Sequence, residues 1–265
     1  MNSKKIKIGA FQFSTCNDIE KNLEAIKRGI VLAAEKNVRL LLTQECALCG
    51  YPPVEIPSVD SINRVAQYEA IKEISELSKK YNMFIALGMI SFDDKGTYNS
   101  VQLINPEKIN YKPYHKRALW GWDSDNFTQG NDIGIYNIDG IMIGIRICYE
   151  VRFPEYFREL FRKQVDLCLI SFTDIGKPEQ KEKLKIIKSH LVSRAAENVM
   201  HVLSANSISQ YQLAPTCLVD PDGIILEIAP LNKEALISRE IEILPPHFGR
   251  EGRITHSKIL QKMNV

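Results

Sequence analysis

Gly144-Ile145-Arg146-Ile147-Cys148-Tyr149-Glu150-Val151-Arg152-Phe153-Pro154-Glu155 is the stretch on which the reading of this chain turns. A mostly apolar, isoleucine-rich run, Ile141 to Ile147, ends in a thiol. A short polar turn follows, and Pro154 opens a predicted helix. A strand that stops at a turn before a helix can hold a side chain at the top of a sheet, where a nucleophile must sit to meet a substrate. An isolated cysteine is more often a small, inert, buried side chain. Here the flanking pattern and two partners elsewhere in the chain favour a reactive thiol.

Outward from Cys148, strands and helices alternate. Ile6 to Phe13 reads as a strand, and Asn17 followed by Glu20 resembles a helix-start capping pair. Leu23, Ile26, Ile30 and Ala33 follow at helical spacing, and Arg39 to Gln44 is the next strand. Ser61 to Lys80 reads as a helix with Val65, Ile71, Ile74 and Leu77 as its apolar stripe. Met83 to Ile90 and Ser100 to Ile104 are strands around the turn Asp93-Asp94-Lys95-Gly96. Ile133 to Ile138 and Ile141 to Ile147 form a hairpin around Asp139-Gly140. Beyond Cys148 come a helix over Pro154 to Lys163, a strand over Val165 to Ser171, a helix over Gln180 to Asn198 and a strand over Met200 to Ala205. Thr216 to Val219 and Ile224 to Ile228 pair around Pro221-Asp222-Gly223, and Ala235 to Ile241 closes the sheet. The tail from Pro245 is basic and polar, with no clear period. Such alternation with interspersed hairpins predicts an α/β fold with a mixed sheet. Sites in open α/β sheets gather at the carboxyl ends of strands, so residues far apart in sequence converge there.

The 265 residues carry no repeat, low-complexity tract or composition shift that marks a boundary, so the chain reads as one domain over 1–265. A net charge of +2 without a basic block does not point to nucleic acid. No apolar run reaches membrane-spanning length, and Met1-Asn2-Ser3-Lys4-Lys5 leads straight into a strand, which points to a cytoplasmic location. Six cysteines in such a chain are expected to be reduced. Cys46 and Cys49 make a C-x-x-C, but no second ligand pair exists for zinc, and Gly50-Tyr51-Pro52-Pro53 after them reads as a loop rather than the helix of a redox site. Metal and cofactor are both read as none.

The nucleophile stretch resembles the nitrilase, or carbon–nitrogen hydrolase, superfamily, whose segment Gly-x-x-Ile-Cys-Tyr-Asp-x-Arg-Phe-Pro-Glu it follows except for Glu150. Leu40-Leu41-Leu42-Thr43-Gln44-Glu45 looks like the strand that delivers the general base, Glu45. Tyr114-His115-Lys116-Arg117-Ala118-Leu119 looks like the Tyr-x-Lys-x-His-Leu segment, with Ala118 in place of His, and makes Lys116 the catalytic lysine. Arg194-Ala195-Ala196-Glu197-Asn198 and Asp220-Pro221-Asp222-Gly223 match two later segments, so the resemblance runs from Ile6 to about Ile241. It implies a four-layer α-β-β-α sandwich, and a catalytic set of Glu45, Lys116 and Cys148 supported by the Tyr149 backbone amide. It also implies pairing of two copies through helices near the nucleophile. Tyr156, Phe157, Leu160 and Phe161 are a large apolar load for one short helix there, and a homodimer face would absorb part of it.

The chemistry explains why these residue types are needed. A thiolate attacks the carbonyl, a carboxylate carries the proton, and a fixed cation and an amide stabilise the oxyanion. Family members commonly carry a second Glu before an aromatic-x-Pro-Gly loop. Here the loop is Trp122-Asp123-Ser124-Asp125-Asn126-Phe127-Thr128-Gln129-Gly130, with Gln129 for Pro and no Glu. Asp123 matches by spacing from Phe127, and Asp125 is the alternative; either is one methylene shorter. Tyr51, Trp122, Ser171 and Phe172 are the candidate substrate contacts. Tyr149-Glu150 resembles amidase branches, whereas nitrilases usually carry Trp-Glu. The resemblance therefore implies a small-molecule amide, N-carbamoyl or glutamine-like substrate. The alternatives are a catalytically weak scaffold that keeps the fold, a nitrile hydrolase, or a redox protein using Cys46 and Cys49.

Overall fold

The structure, a computed structural model, describes residues 4–107 and 111–262. In chain order its elements are β1 (Lys4–Gln12), α1 (Ile19–Glu35), β2 (Leu40–Leu42), α2 (Arg64–Tyr81), β3 (Phe84–Asp93), β4 (Gly96–Ile104), β5 (Tyr114–His115) and α3 (Trp122–Asn126). Then come β6 (Ile135–Ile138), β7 (Ile141–Ile147), α4 (Pro154–Arg162), β8 (Leu167–Phe172), β9 (Ile175–Gly176), α5 (Glu182–Asn198) and β10 (His201–Asn206). The chain ends with β11 (Tyr211–Gln212), β12 (Cys217–Val219), β13 (Ile225–Ile228), β14 (Ala235–Ile243) and α6 (Phe248–Lys262).

Two six-stranded sheets result, with orders β14-β1-β2-β3-β4-β5 and β13-β12-β10-β8-β7-β6. Each contains three parallel strands, β1-β2-β3 in one and β7-β8-β10 in the other. Parallel neighbours need crossover connections, and helices α1, α2, α4 and α5 supply them. Strand alternation then sorts the side chains into three cores. Leu40, Leu42, Ile143, Ile145 and Ile147 pack between the sheets. Leu41, Ile85 and Leu87 pack with Ile26, Ile30 and Ile74 under α1 and α2. Cys168, Ile170 and Val202 pack with Phe157, Leu160, Ile187 and Leu191 under α4 and α5. Burying one such aliphatic side chain contributes about 1.5–3 kcal/mol. These cores, not the two-residue ladders of β5, β9 and β11, therefore carry the stability of the four-layer α-β-β-α sandwich. Gly144 lets α4 close on β7, because a Cβ there would sit 2.8 Å from Leu160.

Several expectations are corrected at the edges. The cap of α1 is Asp18, whose Oδ1 accepts from the amides of Glu20 and Lys21, not Asn17. Val65, assigned to the apolar stripe of α2, is 73 % exposed, because it sits on the first turn of that helix. The last strand, β14, does not follow β13 but crosses to the first sheet and pairs with β1 along its whole length. The tail is not irregular: it forms α6, a helix without a buried residue. Its hold is polar, through Arg250 and Arg253 on Asp222, so apolar periodicity had little to report.

Candidate active site

The site forms where the parallel strands of both sheets end. β2 stops at Leu42, and the chain crosses toward the second sheet. The Ser171 hydroxyl donates to the Thr43 carbonyl at 2.9 Å, and the Glu45 amide donates to the Phe172 carbonyl at 3.2 Å. The Thr173 hydroxyl donates to the Glu45 carbonyl at 2.8 Å. The two strand ends are thereby stitched together around Glu45. Gly88 on β3 permits the crossing, since a Cβ there would lie 1.9 Å from the Gln44 carbonyl oxygen.

Glu45 is buried, and both of its oxygens accept hydrogen bonds. Oε1 accepts from Lys116 Nζ at 2.8 Å and from Asn99 Nδ2 at 2.7 Å; Oε2 accepts from the Thr173 amide at 2.7 Å. Lys116 follows the edge strand β5 and is held by backbone bonds to Asn99 and Gly130. Its Nζ also donates to Asp123 Oδ2 at 2.6 Å. Burial alone would lower the Lys116 ammonium, but the carboxylate of Glu45 and the charges at Cys148 and Asp123 hold it well above its usual range. Lys116 is therefore a fixed cation. Of the two candidate aspartates, Asp123 is buried and reaches Lys116, while Asp125 is exposed.

Cys148 opens the turn after β7 with φ of +44°, a left-handed conformation that costs a non-glycine residue energy. The residue at this elbow is half-buried. Burial, and then the Glu45 carboxylate, push its thiol well above the usual value, with the Lys116 charge opposing them. The turn is anchored by Glu150, which is completely buried. Its Oε2 accepts from the Ile147 amide at 2.6 Å, while Oε1 accepts from the Tyr114 hydroxyl and the Arg117 amide, each at 2.7 Å. Glu150 thus fastens the elbow to both flanks of Lys116.

The remaining candidates fall elsewhere. Tyr51 donates its hydroxyl to Asp123 Oδ1 at 2.6 Å, joining the cluster from behind Lys116. Ser171 and Phe172 do not offer side chains to a substrate: the first is bonded to Thr43, and the second is buried under α4 and α5. Trp122 packs edge-on against Phe127 in the core beneath α1 and α2. Trp120, which sequence reasoning passed over, is the tryptophan beside Tyr149, with ring centroids 6.3 Å apart and 69 % of its surface exposed. Asn99 and the Thr173 amide were also missed. Asn99 reaches Glu45 from the neighbouring hairpin, and a backbone amide has no sequence signature. Cys46 and Cys49 are buried free thiols; burial pushes Cys49 up to about 12 and Cys46 well above its usual value.

A model of the carbon–nitrogen hydrolase family matches residues 7–243, nearly all of the two sheets and every residue of this cluster. The chain belongs to that family. Among curated proteins it is similar to deaminated glutathione amidase of Dictyostelium discoideum, 25 % identical with 92 % of this chain and 89 % of the relative covered. It is also similar to 2-oxoglutaramate amidase of Bacillus subtilis, 24 % identical over 78 % of this chain and 80 % of the relative. Among solved structures, an amidase of the nitrilase superfamily from Nesterenkonia superposes with a TM-score of 0.81 at 18 % identity, covering 98 % of this chain and 96 % of that one. Among the described residues, no helix is long and apolar enough to cross a membrane.

Proposed function

We propose that the chain hydrolyses the C–N bond of a small amide through a thioester on Cys148. The observation that carries this reading is the buried Glu45–Lys116–Asp123 cluster, fastened to the left-handed Cys148 elbow by Glu150. Cys148 Sγ attacks the carbonyl carbon while Glu45 takes the thiol proton. The negative oxygen of the tetrahedral intermediate faces Lys116 Nζ and the Tyr149 amide. The C–N bond then breaks, and Glu45 returns the proton to the departing nitrogen, releasing ammonia. Glu45 next takes a proton from water, whose oxygen attacks the thioester; the acid leaves and the thiol is restored.

The names of the relatives support an amide substrate, and Tyr149 in the nucleophile segment supports an amide over a nitrile. A variant of the Nesterenkonia amidase carries the acetamide moiety of fluoroacetamide covalently added at its active site cysteine, which fits a nucleophilic thiol at the corresponding place. Ammonia release measured over a panel of small ω-amides, glutamine-like amides, N-carbamoyl compounds and nitriles tests the reading. Turnover of at least one amide or N-carbamoyl compound, with nitriles inert, is the expected result. Turnover of nitriles alone, or of nothing, contradicts it.

The working unit in this proposal is a single domain, cytoplasmic and homodimeric. Phe157 and Leu160 are buried in their own core, so only Tyr156 and Phe161, both half-buried, remain on α4 for a mate. Light scattering at micromolar concentration should give twice the chain mass, and Phe161→Glu should halve it.

A further inference from the structure

We infer that Tyr51 is a positioning residue, the phenol that lets the short carboxylate of Asp123 hold Lys116 in place. The inference rests on the hydrolase reading above for what Lys116 does, and on geometry for the rest.

Asp123 is 2 % exposed, and each of its oxygens has one short donor: Lys116 Nζ on Oδ2 and the Tyr51 hydroxyl on Oδ1, both at 2.6 Å. An aspartate swings about a single methylene, so its carboxylate is aimed by what it bonds. Without the phenol, Oδ1 would be a buried charged oxygen with no partner, and the carboxylate would turn to find one. Lys116, whose ammonium donates to both Asp123 and Glu45, would turn with it.

Tyr51 is itself fixed at both ends. Its amide donates to Glu55 Oε2 at 2.8 Å. Glu55 Oε1 accepts from the Ser207 hydroxyl at 2.8 Å and also from Ser209, so the loop is tied to the end of β10 in the other sheet. The chain folds back on itself as well, with the Glu55 amide donating to the Tyr51 carbonyl at 2.7 Å. A rigid ring spans the space between these anchors, and its centroid lies 5.8 Å from Lys116 Nζ. A phenol has one proton to give, and here Asp123 receives it. Burial pushes the Tyr51 hydroxyl far above its usual range, so the phenol keeps its proton to give. A contact to substrate, the role expected from the sequence, would need that donor free.

The structure also suggests how the pair can be exchanged. Tyr51→Phe removes one oxygen beside the carboxylate, and Asp123→Glu adds one methylene at the same point. Steady-state kinetics on the full chain should show kcat of Tyr51→Phe down about tenfold or more, with KM nearly unchanged. The Tyr51→Phe, Asp123→Glu double variant should recover most of that kcat. An unchanged kcat, a loss confined to KM, or a double variant no faster than Tyr51→Phe overturns the inference. A readout without substrate separates this from failure of the hydrolase reading. The rate of Cys148 alkylation by iodoacetamide is followed against pH in the wild type and in Tyr51→Phe, with melting curves to show that both are folded. A less well-placed Lys116 stabilises the thiolate less, so the profile of Tyr51→Phe should move to higher pH. Coincident profiles refute the positioning role, whether or not the wild type hydrolyses an amide.

Discussion

Lys116 Nζ lies 2.8 Å from Glu45 Oε1, and both side chains are sealed from solvent, at 2 % and 0 % exposure. The same ammonium sits 2.6 Å from Asp123, so one cation serves two buried carboxylates. Such an arrangement is tolerable only because Asn99, the Thr173 amide and Tyr51 donate to the remaining lone pairs. Replacing the cation alone leaves charge buried without compensation.

Lys116→Met tests this twice over. Turnover should fall by about 10²–10³-fold, the usual loss for an oxyanion donor. Stability should also fall, by about 3–5 kcal/mol, because two buried carboxylates then lack their counter-charge. Denaturant melts measure the second effect, and Lys116→Met with Asp123→Asn should recover part of the stability without recovering turnover.

Glu45→Gln separates proton transfer from thiol chemistry. The Glu45 charge is a cause of the raised Cys148 thiol, after burial, and Lys116 opposes it. Removing the negative charge leaves Lys116 to favour the thiolate, so the thiol titrates at lower pH. Amide turnover should drop by about 10²–10⁴-fold, while alkylation of Cys148 at neutral pH becomes faster. Slower alkylation in the variant would show that Glu45 does not act on the thiol electrostatically in this way.

His201 predicts a pH window for stability away from the site. Burial lowers its imidazole from 6.5 to about 4, with Arg250 adding to the effect and Asp220 and the bond to Asp166 opposing it. The unfolded chain therefore binds a proton at a pH where the folded chain does not. Stability is full above about pH 6.5 and declines as the pH falls toward about 4, by roughly 3 kcal/mol in all. Urea melts between pH 7 and pH 4 should lose that slope in His201→Gln.

Asp222 accepts from Arg250 at 2.6 Å and from Arg253 at 2.5 Å, and this clamp holds α6 to the turn before β13. The helix covers a cavity of about 380 Å³ at the starts of β8 and β10, lined by Asp166, His201, Pro221 and Ile254. Cys148 stands at the opposite ends of the parallel strands. Asp222→Ala should speed tryptic cleavage within α6 and leave turnover unchanged.

What could be read from the sequence follows from the kind of signal each residue leaves. Glu45, Lys116 and Cys148 each stand at or near the end of a short segment of patterned residues, and the structure brings all three to one end of the two sheets. Ser171 and Phe172 also stand at a strand end, yet they serve the seam between sheets, because alternation sends one side chain to Thr43 and the next under α5. Trp122 was read as facing the site, but the α3 turn carries it into the core and leaves Trp120 beside Tyr149. Tyr51, Asn99 and Glu150 reach the cluster through hydrogen bonds to residues 33 to 72 positions away, and no local pattern encodes such a partner. α6 went unread for a similar reason: it is held by charge rather than by an apolar stripe.

The proposed mechanism stands on Cys148 as the nucleophile. Ammonia release by Cys148→Ala on the best substrate of the panel, with circular dichroism to confirm the fold, tests that role. Turnover should fall to the limit of detection, with Cys46→Ala and Cys49→Ala retaining most of theirs. A folded Cys148→Ala protein that still releases ammonia at a substantial fraction of the wild-type rate would contradict it.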